Sequence, residues 1–266
     1  MLAWAFFKRD AIVAYSYRVS FVAQLLGNLL VLSLFYYVGL AIGDQPLPAF
    51  AAYGGSFAAF LLIGIALTDC VGVSLVSFAA QIREAQTTGT LEATVMSPVR
   101  LPLILVYSSL WNYFMCGVRF ALYLLIGGRL YGLDLARGNI ASALLIFLLT
   151  VLCFMGIGIL WAGVVMLVKR GESLMTLAAS LVLLLSGVLY PVELLPQWLQ
   201  TLGGLVPLTH ALDGMRLALL TGATIADLKD TLIILSGFAV VLMTIGLGAF
   251  DRAVEIAKHT GSVTQY

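Results

Sequence analysis

Only four lysines occur in this chain, Lys8, Lys169, Lys229 and Lys258, and none of them follows a glycine. A nucleotide-hydrolysing P-loop needs a Gly-Lys pair at the end of its phosphate cradle. The chain is therefore no P-loop ATPase, and any work drawn from ATP must come through another subunit. Histidine is scarcer still, with two residues in the whole sequence, which leaves no basis for a metal centre. The three cysteines, Cys70, Cys116 and Cys153, lie singly inside long apolar runs. Such an odd, scattered set reads as small buried hydrophobes, neither a disulfide framework nor a metal site. Charged residues make up only 10% and the net charge is +1, with no basic run of the kind that binds a phosphate backbone.

Hydrocarbon is what the sequence does contain. Of its 266 residues 62% are hydrophobic, and the mean hydropathy is +1.06. Soluble domains hold roughly 45–50% apolar and about 25% charged residues, so one aqueous core cannot hide this excess. The apolar runs are continuous and long enough for helices crossing a hydrocarbon layer about 30 Å thick. They lack the alternation of a transmembrane barrel. The fold class expected is an all-α polytopic membrane protein, built as a single unit over 1–266. Lys8, Arg9 and Asp10 follow the first apolar residues at once, the reverse of a signal peptide's order.

In chain order, 1–18 places Trp4, Phe7, Ala11 and Tyr15 at helical spacing among charges, which predicts an amphipathic interfacial helix. Six spans are expected at about 19–42, 55–80, 101–127, 140–168, 173–189 and 231–250. Gly39 and Gly43 form a GxxxG at the end of the first. Between the fifth and sixth, 190–230 is too long for a turn and too apolar for a disordered linker. There 193–202 and 207–220 read as two short helices dipping into the outer leaflet, the second opened by Pro207. His210, Asp213 and Arg216 share a face of that second helix. With no serine or cysteine nucleophile placed near them, a hydrogen-bonded or ion-paired face is the reading. If the N-terminus is inside, nine lysines and arginines fall in cytoplasmic segments against four outside, which places both termini in the cytoplasm.

Three groups of residues are candidates for function. The first is the polar stretch 81–98, which carries Arg83, Glu84 and Glu92, is interrupted by Gly89 and is closed by Pro98. It is either a solvated turn or a cytoplasmic docking element. The second is Asp69 and Arg119, two costly charges inside spans two and three. Counted from the shared loop they lie about 13 and 18 residues deep, a difference of roughly 7 Å at 1.5 Å per residue, which an arginine can bridge. Their pairing reads as a clamp between spans or as the lining of a polar path. The third is Tyr107, Ser109, Asn112 and Tyr113 of the third span, with Ser108, which give a mildly polar face: a substrate path or ordinary contacts between helices.

Two stretches, REAQTTGTLEATVMSPV at 83–99 and LSGVLYPVELLPQWLQ…VPLTHALDGMR within 185–216, carry a resemblance. Over essentially its full length the chain resembles the ABC type-2 exporter permease family. That resemblance implies a bacterial plasma (inner) membrane protein, homodimeric or paired with a similar chain. It implies two copies of a cytoplasmic ATPase subunit that hold the ATP and Mg2+, and no cofactor on this chain. Glu84, Gly89, Thr90, Leu91 and Glu92, with Arg83, match the family's coupling segment. Lys169, Arg170 and Glu172 would be a second, weaker ATPase contact, and the first and fifth spans would line the dimer interface. The implied cargo is amphipathic or lipid-linked (a glycan, glycolipid or polysaccharide), with a hydrophobic drug as the alternative. A membrane-embedded enzyme or scaffold would need acids, histidines or nucleophiles clustered at one depth; here they are scattered among loops and tail.

Overall fold

The structure is a computed structural model that describes residues 2–16, 18–42, 57–90, 99, 101–131, 138–167 and 172–259. Leu91, Glu92, Lys169, Arg170, Gly43 and Pro98 lie outside the described residues. Every described regular element is helical: α1 (Leu2–Ser16), α2 (Arg18–Ile42), α3 (Phe57–Thr87), α4 (Leu101–Tyr131), α5 (Ile140–Leu167), α6 (Glu172–Leu185), α7 (Gln197–Gly203), α8 (Pro207–Arg216) and α9 (Lys229–His259), with a 3-10 turn at Val192–Leu194 and a π-helical turn at Leu217–Thr221. Among the described residues four helices, α3, α4, α5 and α9, are long and apolar enough to cross a membrane. The apolar parts of α2 and α6, Val22–Val38 and Leu174–Leu185, are shorter.

The bundle is built around α5. Its most extensive contact is with α9 and its next is with α3; α4 packs along α3, and α1 and α2 lean on α4 and α3. Where α5 and α9 cross, both carry glycine. A Cβ on Gly156 would stand 2.6 Å from the carbonyl carbon of Leu242, and one on Gly246 would strike the Gly156 carbonyl. Two backbones approach this closely only where side chains are missing, which is how membrane helices gain dispersion contact without an aqueous driving force. Asn139 starts α5: its Oδ1 accepts from the Ser142 amide at 3.1 Å, an N-cap that satisfies one of the open N–H groups of the first turn.

Three sequence expectations change. The helix that carries the second span does not stop near residue 80, because α3 runs on to Thr87. The seven residues 81–87 hold no glycine or proline and are mostly good helix formers. Ile82 and Gln86, one turn apart, are buried against the bundle. The helix ends in a Schellman motif at Gly89 (φ +67°), with Thr90 N–H donating to Ala85 O at 3.0 Å and Gly89 N–H to Gln86 O at 3.3 Å. Polarity there marks a helix leaving the apolar zone, and Arg83 and Glu84 belong to its last turns.

At the other end, α6 stops at Leu185, ahead of the expected 189. Gly187 (φ +70°) turns the chain before Pro191 is reached. The third change concerns the cysteines. Cys70 and Cys116 form a disulfide between α3 and α4, with Cα atoms 5.4 Å apart, while Cys153 is free and buried. The spacing of 46 residues gave no sign of this, since it depends on where two antiparallel helices touch.

The segment before α9 divides into two environments. On α7, Trp198 is 63% exposed, and Leu194 and Leu205 flank it as exposed apolar residues. Helix α8 is instead packed inside the bundle against α5, α9 and α3, with Leu208, Ala211, Leu212 and Met215 fully covered. Between α8 and α9, the Thr224 amide and hydroxyl donate to Asp227 Oδ2 at 2.9 and 2.7 Å. These bonds hold the Asp227 carboxyl below its usual value. The turn is therefore fully held above the ordinary aspartate range and loosens as pH falls through the lowered value.

Candidate functional site

Two polar regions stand on α3, one at its tip and one at its middle. At the tip, Glu84, Gly89 and Thr90 are exposed and Arg83 is half-buried. The hydroxyl of Thr88 bonds Glu84 O at 2.7 Å and meets the Thr90 hydroxyl at 2.9 Å, which ties the turn down. A cleft of about 400 Å³ opens beside it, lined by Arg9, Gln81, Glu84, Thr88, Thr90 and Ser108. Helix α1 forms one wall. Its Phe7 packs edge-on against Trp111 and Phe114 of α4 (centroids 5.1 and 5.6 Å), and Arg9, paired with Asp10 at 2.7 Å, reaches Ser108 Oγ at 3.5 Å. Glu172 begins α6.

At the middle of α3, Arg119 Nε donates to Asp69 Oδ2 at 2.7 Å, with the two side chains 8% and 7% exposed. Helix α2 joins the pair. Gln24 Nε2 donates to Asp69 Oδ1 at 3.0 Å, and one turn further Asn28 Nδ2 donates to the Tyr123 hydroxyl at 2.8 Å. Gln24 and Asn28 are i, i+4 on α2; Arg119 and Tyr123 are i, i+4 on α4; Asp69 stands between them. Sequence reasoning missed Gln24 and Asn28. Their signal was two amides one helical turn apart in an otherwise apolar span. The Cys70–Cys116 disulfide lies directly beside this network.

The four polar residues of the third span part company. Tyr107 packs against Phe6 of α1 (centroids 6.2 Å), and Ser109 is buried and accepts from Gln81 Nε2 at 2.8 Å. Tyr113 is buried near Phe78 of α3 (6.3 Å). Asn112 is exposed and borders a groove of about 380 Å³ that Gln24, Ser77 and Arg119 also line.

Of His210, Asp213 and Arg216, read from the sequence as a hydrogen-bonded or ion-paired face, the first and last reach in different directions. The Nε2 of His210 meets Gly204 O at 2.9 Å, whereas Arg216 is 1% exposed and points into the bundle. There its Nη2 donates to Gly187 O at 3.0 Å, Val188 O at 3.1 Å and Phe60 O at 3.4 Å, and its guanidinium carbon lies 3.3 Å from the Phe60 ring centroid. Arg216 thus fastens the end of α8 to the start of α3 and to the turn after α6. Among the described residues no group of histidine, cysteine, aspartate and glutamate could hold a metal.

A buried ion pair is costly to break from one side only, by about 3–5 kcal/mol, because the remaining charge stays desolvated. Arg119→Leu is accordingly expected to lower thermal stability in detergent sharply, and Arg119→Leu with Asp69→Asn to regain most of the loss. Equal damage in the single and double variants would mean that the pair does not carry the coupling.

The described helices thus combine long apolar stretches with two polar regions, one at the tip of α3 and one at its middle. The sequence is similar to the linearmycin resistance permease protein LnrN of Bacillus subtilis (strain 168), with 26% identity over 139 residues that cover 52% of this chain and 36% of that protein. The chain thus matches about a third of that relative's length. The ABC-2 type transporter family matches residues 1–220. By that match the chain belongs to the ABC-2 type transporter family.

Proposed function

We propose that this chain is the permease subunit of an ATP-driven exporter that moves an amphipathic or lipid-linked molecule out of the cytoplasm or inner leaflet. In this reading α2 and α6 are the first and fifth of six spans, α1 lies in the interface, and both termini and the α3 tip face the cytoplasm of a bacterial cell. Residues 1–266 act as one unit, with 81–98 as its coupling segment and 190–230 on the outer side. Two permease copies, a homodimer in the simplest case, would bind two ATPase subunits that hold the ATP and Mg2+.

The observation that supports it best is the unbroken helix Phe57–Thr87. Glu84 at its exposed end and Asp69 at its middle are 15 residues apart on one rod, about 22 Å at 1.5 Å per residue. Force applied at the tip therefore reaches the polar layer without crossing a hinge. Arg83, Glu84, Gly89 and Thr90, continued by Leu91 and Glu92, supply charge, a tight turn and an apolar residue for a cleft on the ATPase. Lys169, Arg170 and Glu172 would add a second contact.

Glu84→Ala, and likewise Glu92→Ala, is expected to leave membrane insertion and thermal stability unchanged. Each should lower substrate-stimulated ATP hydrolysis by the purified permease–ATPase complex several-fold. Unchanged stimulation in either variant would remove the coupling role. A second reading, efflux of an antibiotic, is favoured by the relative named for linearmycin resistance. Growth inhibition by linearmycin with and without this chain and its ATPase tests it.

A further inference from the structure

The groove at the level of Asp69 and Arg119 combines features that neither a structural clamp nor a lipid-facing surface needs. Gln24, Ser77, Asn112 and Arg119 give it one polar wall, while Gly72, Val73 and Val76 give it an apolar one. Arg119 commits its Nε to Asp69, yet among the described residues its buried Nη2 has no acceptor. A buried guanidinium N–H left without a partner is rare in folded proteins and calls for an explanation. Gln24 and Asn112 at the rim are exposed, and Val76 is half exposed, so the groove is open to whatever surrounds the bundle.

Charge balance restricts what fits. Asp69 already neutralises Arg119 at 2.7 Å, so an anionic headgroup would bring net charge into a medium of low dielectric. A neutral group bearing hydroxyl or carbonyl oxygens would satisfy the unpartnered buried donor and the amides at the rim without that cost. Depth restricts it further. Gly72 lies nine residues ahead of Gln81, where the polar run 81–87 of α3 begins, about 14 Å at 1.5 Å per residue, whereas resting lipid headgroups sit at the interface outside a hydrocarbon layer about 30 Å thick. A polar headgroup at this level belongs to a molecule in transit.

The geometry points to the α2–α3–α4 groove as a binding site for the neutral, oxygen-rich headgroup of an amphipathic molecule, with Arg119 and Asn112 as donors and Val73 and Val76 along its apolar part. This rests on the permease reading above and gives the class of cargo for it.

The test uses the full chain in phosphatidylcholine nanodiscs and a dodecyl maltoside carrying a photoreactive diazirine on its alkyl chain. Labelling is expected within 72–77 and 112–119. Unlabelled dodecyl maltoside should compete for it, and dodecyl phosphate should compete at least 10-fold less well. Gly72→Leu is the informative variant, because a Cβ at Gly72 meets nothing within 4 Å and the new side chain fills the groove without disturbing the bundle. It should lower labelling at least 5-fold with thermal stability unchanged, and Asn112→Leu should act in the same direction. Glu84→Ala should leave labelling intact, so failure of the coupling reading and failure of the groove are separable. Labelling unaffected by Gly72→Leu, equal competition by dodecyl phosphate, or labels mapping only to other helices would each overturn the assignment.

Discussion

Replacing Gly246 with leucine is expected to prevent α9 from seating on α5. The first added carbon would overlap the Gly156 carbonyl, and the obstruction is backbone, not the yielding end of a side chain. Overpacking a well-packed core costs about 1–3 kcal/mol when side chains can adjust. Here the two helices must separate along their whole contact, so about 3 kcal/mol or more is expected, together with loss of monodisperse protein on size-exclusion chromatography in detergent. Gly156→Leu should do the same from the other side, since its Cβ would meet Leu242 at 2.6 Å and Met243 N at 2.7 Å. Gly248→Leu, two residues along on the same helix, is the control. A Cβ there meets nothing within 4 Å, and near-wild-type stability is expected. If Gly246→Leu and Gly248→Leu behave alike, the glycine crossing is not what holds α9.

Arg216→Leu is the second change with a large expected effect. Arg216 supplies Gly187 O and Val188 O with a donor in a turn that has no helical partner for them, and it stacks on Phe60. Orphaning a buried carbonyl costs about 1–3 kcal/mol, and a desolvated cation–π contact contributes about 2 kcal/mol. A total of about 3–5 kcal/mol is expected, read as a fall in thermal stability. The junction of α3, α6 and α8 should also become open to protease first. Arg216→Lys should recover only part of this, since an ammonium is a point donor without the planar face that lies on the ring. Full recovery by lysine would mean that charge alone matters at this position.

Parts of this architecture are plain in the sequence because they depend on local physics. Continuous apolar runs mark α3, α4, α5 and α9, and Pro207 marks a helix start through backbone geometry alone. Asp69 and Arg119 stand out because charge is expensive in their surroundings. What is hidden depends on how helices rotate against one another. Gln24 and Asn28 look like stray amides until α2 is laid on α3 and α4. Arg216 reads as one member of a polar face, and only the covering of α8 on several sides turns it inward. The same holds for Cys70 and Cys116, which are far apart along the chain and adjacent only at a crossing. The run 81–87 misleads for a different reason: its polarity suggests a loop, while its helix propensity, free of glycine and proline, governs the backbone.

Three ties join α3 to α4: Cys70 with Cys116, Asp69 with Arg119, and Gln81 with Ser109. In each, one partner advances along the chain roughly as the other retreats, so the two rods run antiparallel in fixed register from mid-bilayer towards the tip of α3. Shifting one rod along the other by even a single residue, about 1.5 Å, would strain all three fastenings together. The pair can therefore swing like an oar but cannot telescope. In the permease proposed above, a passage for cargo would open and shut by tilting that oar against the α5–α9 post, with α2 carried along by its two amide grips.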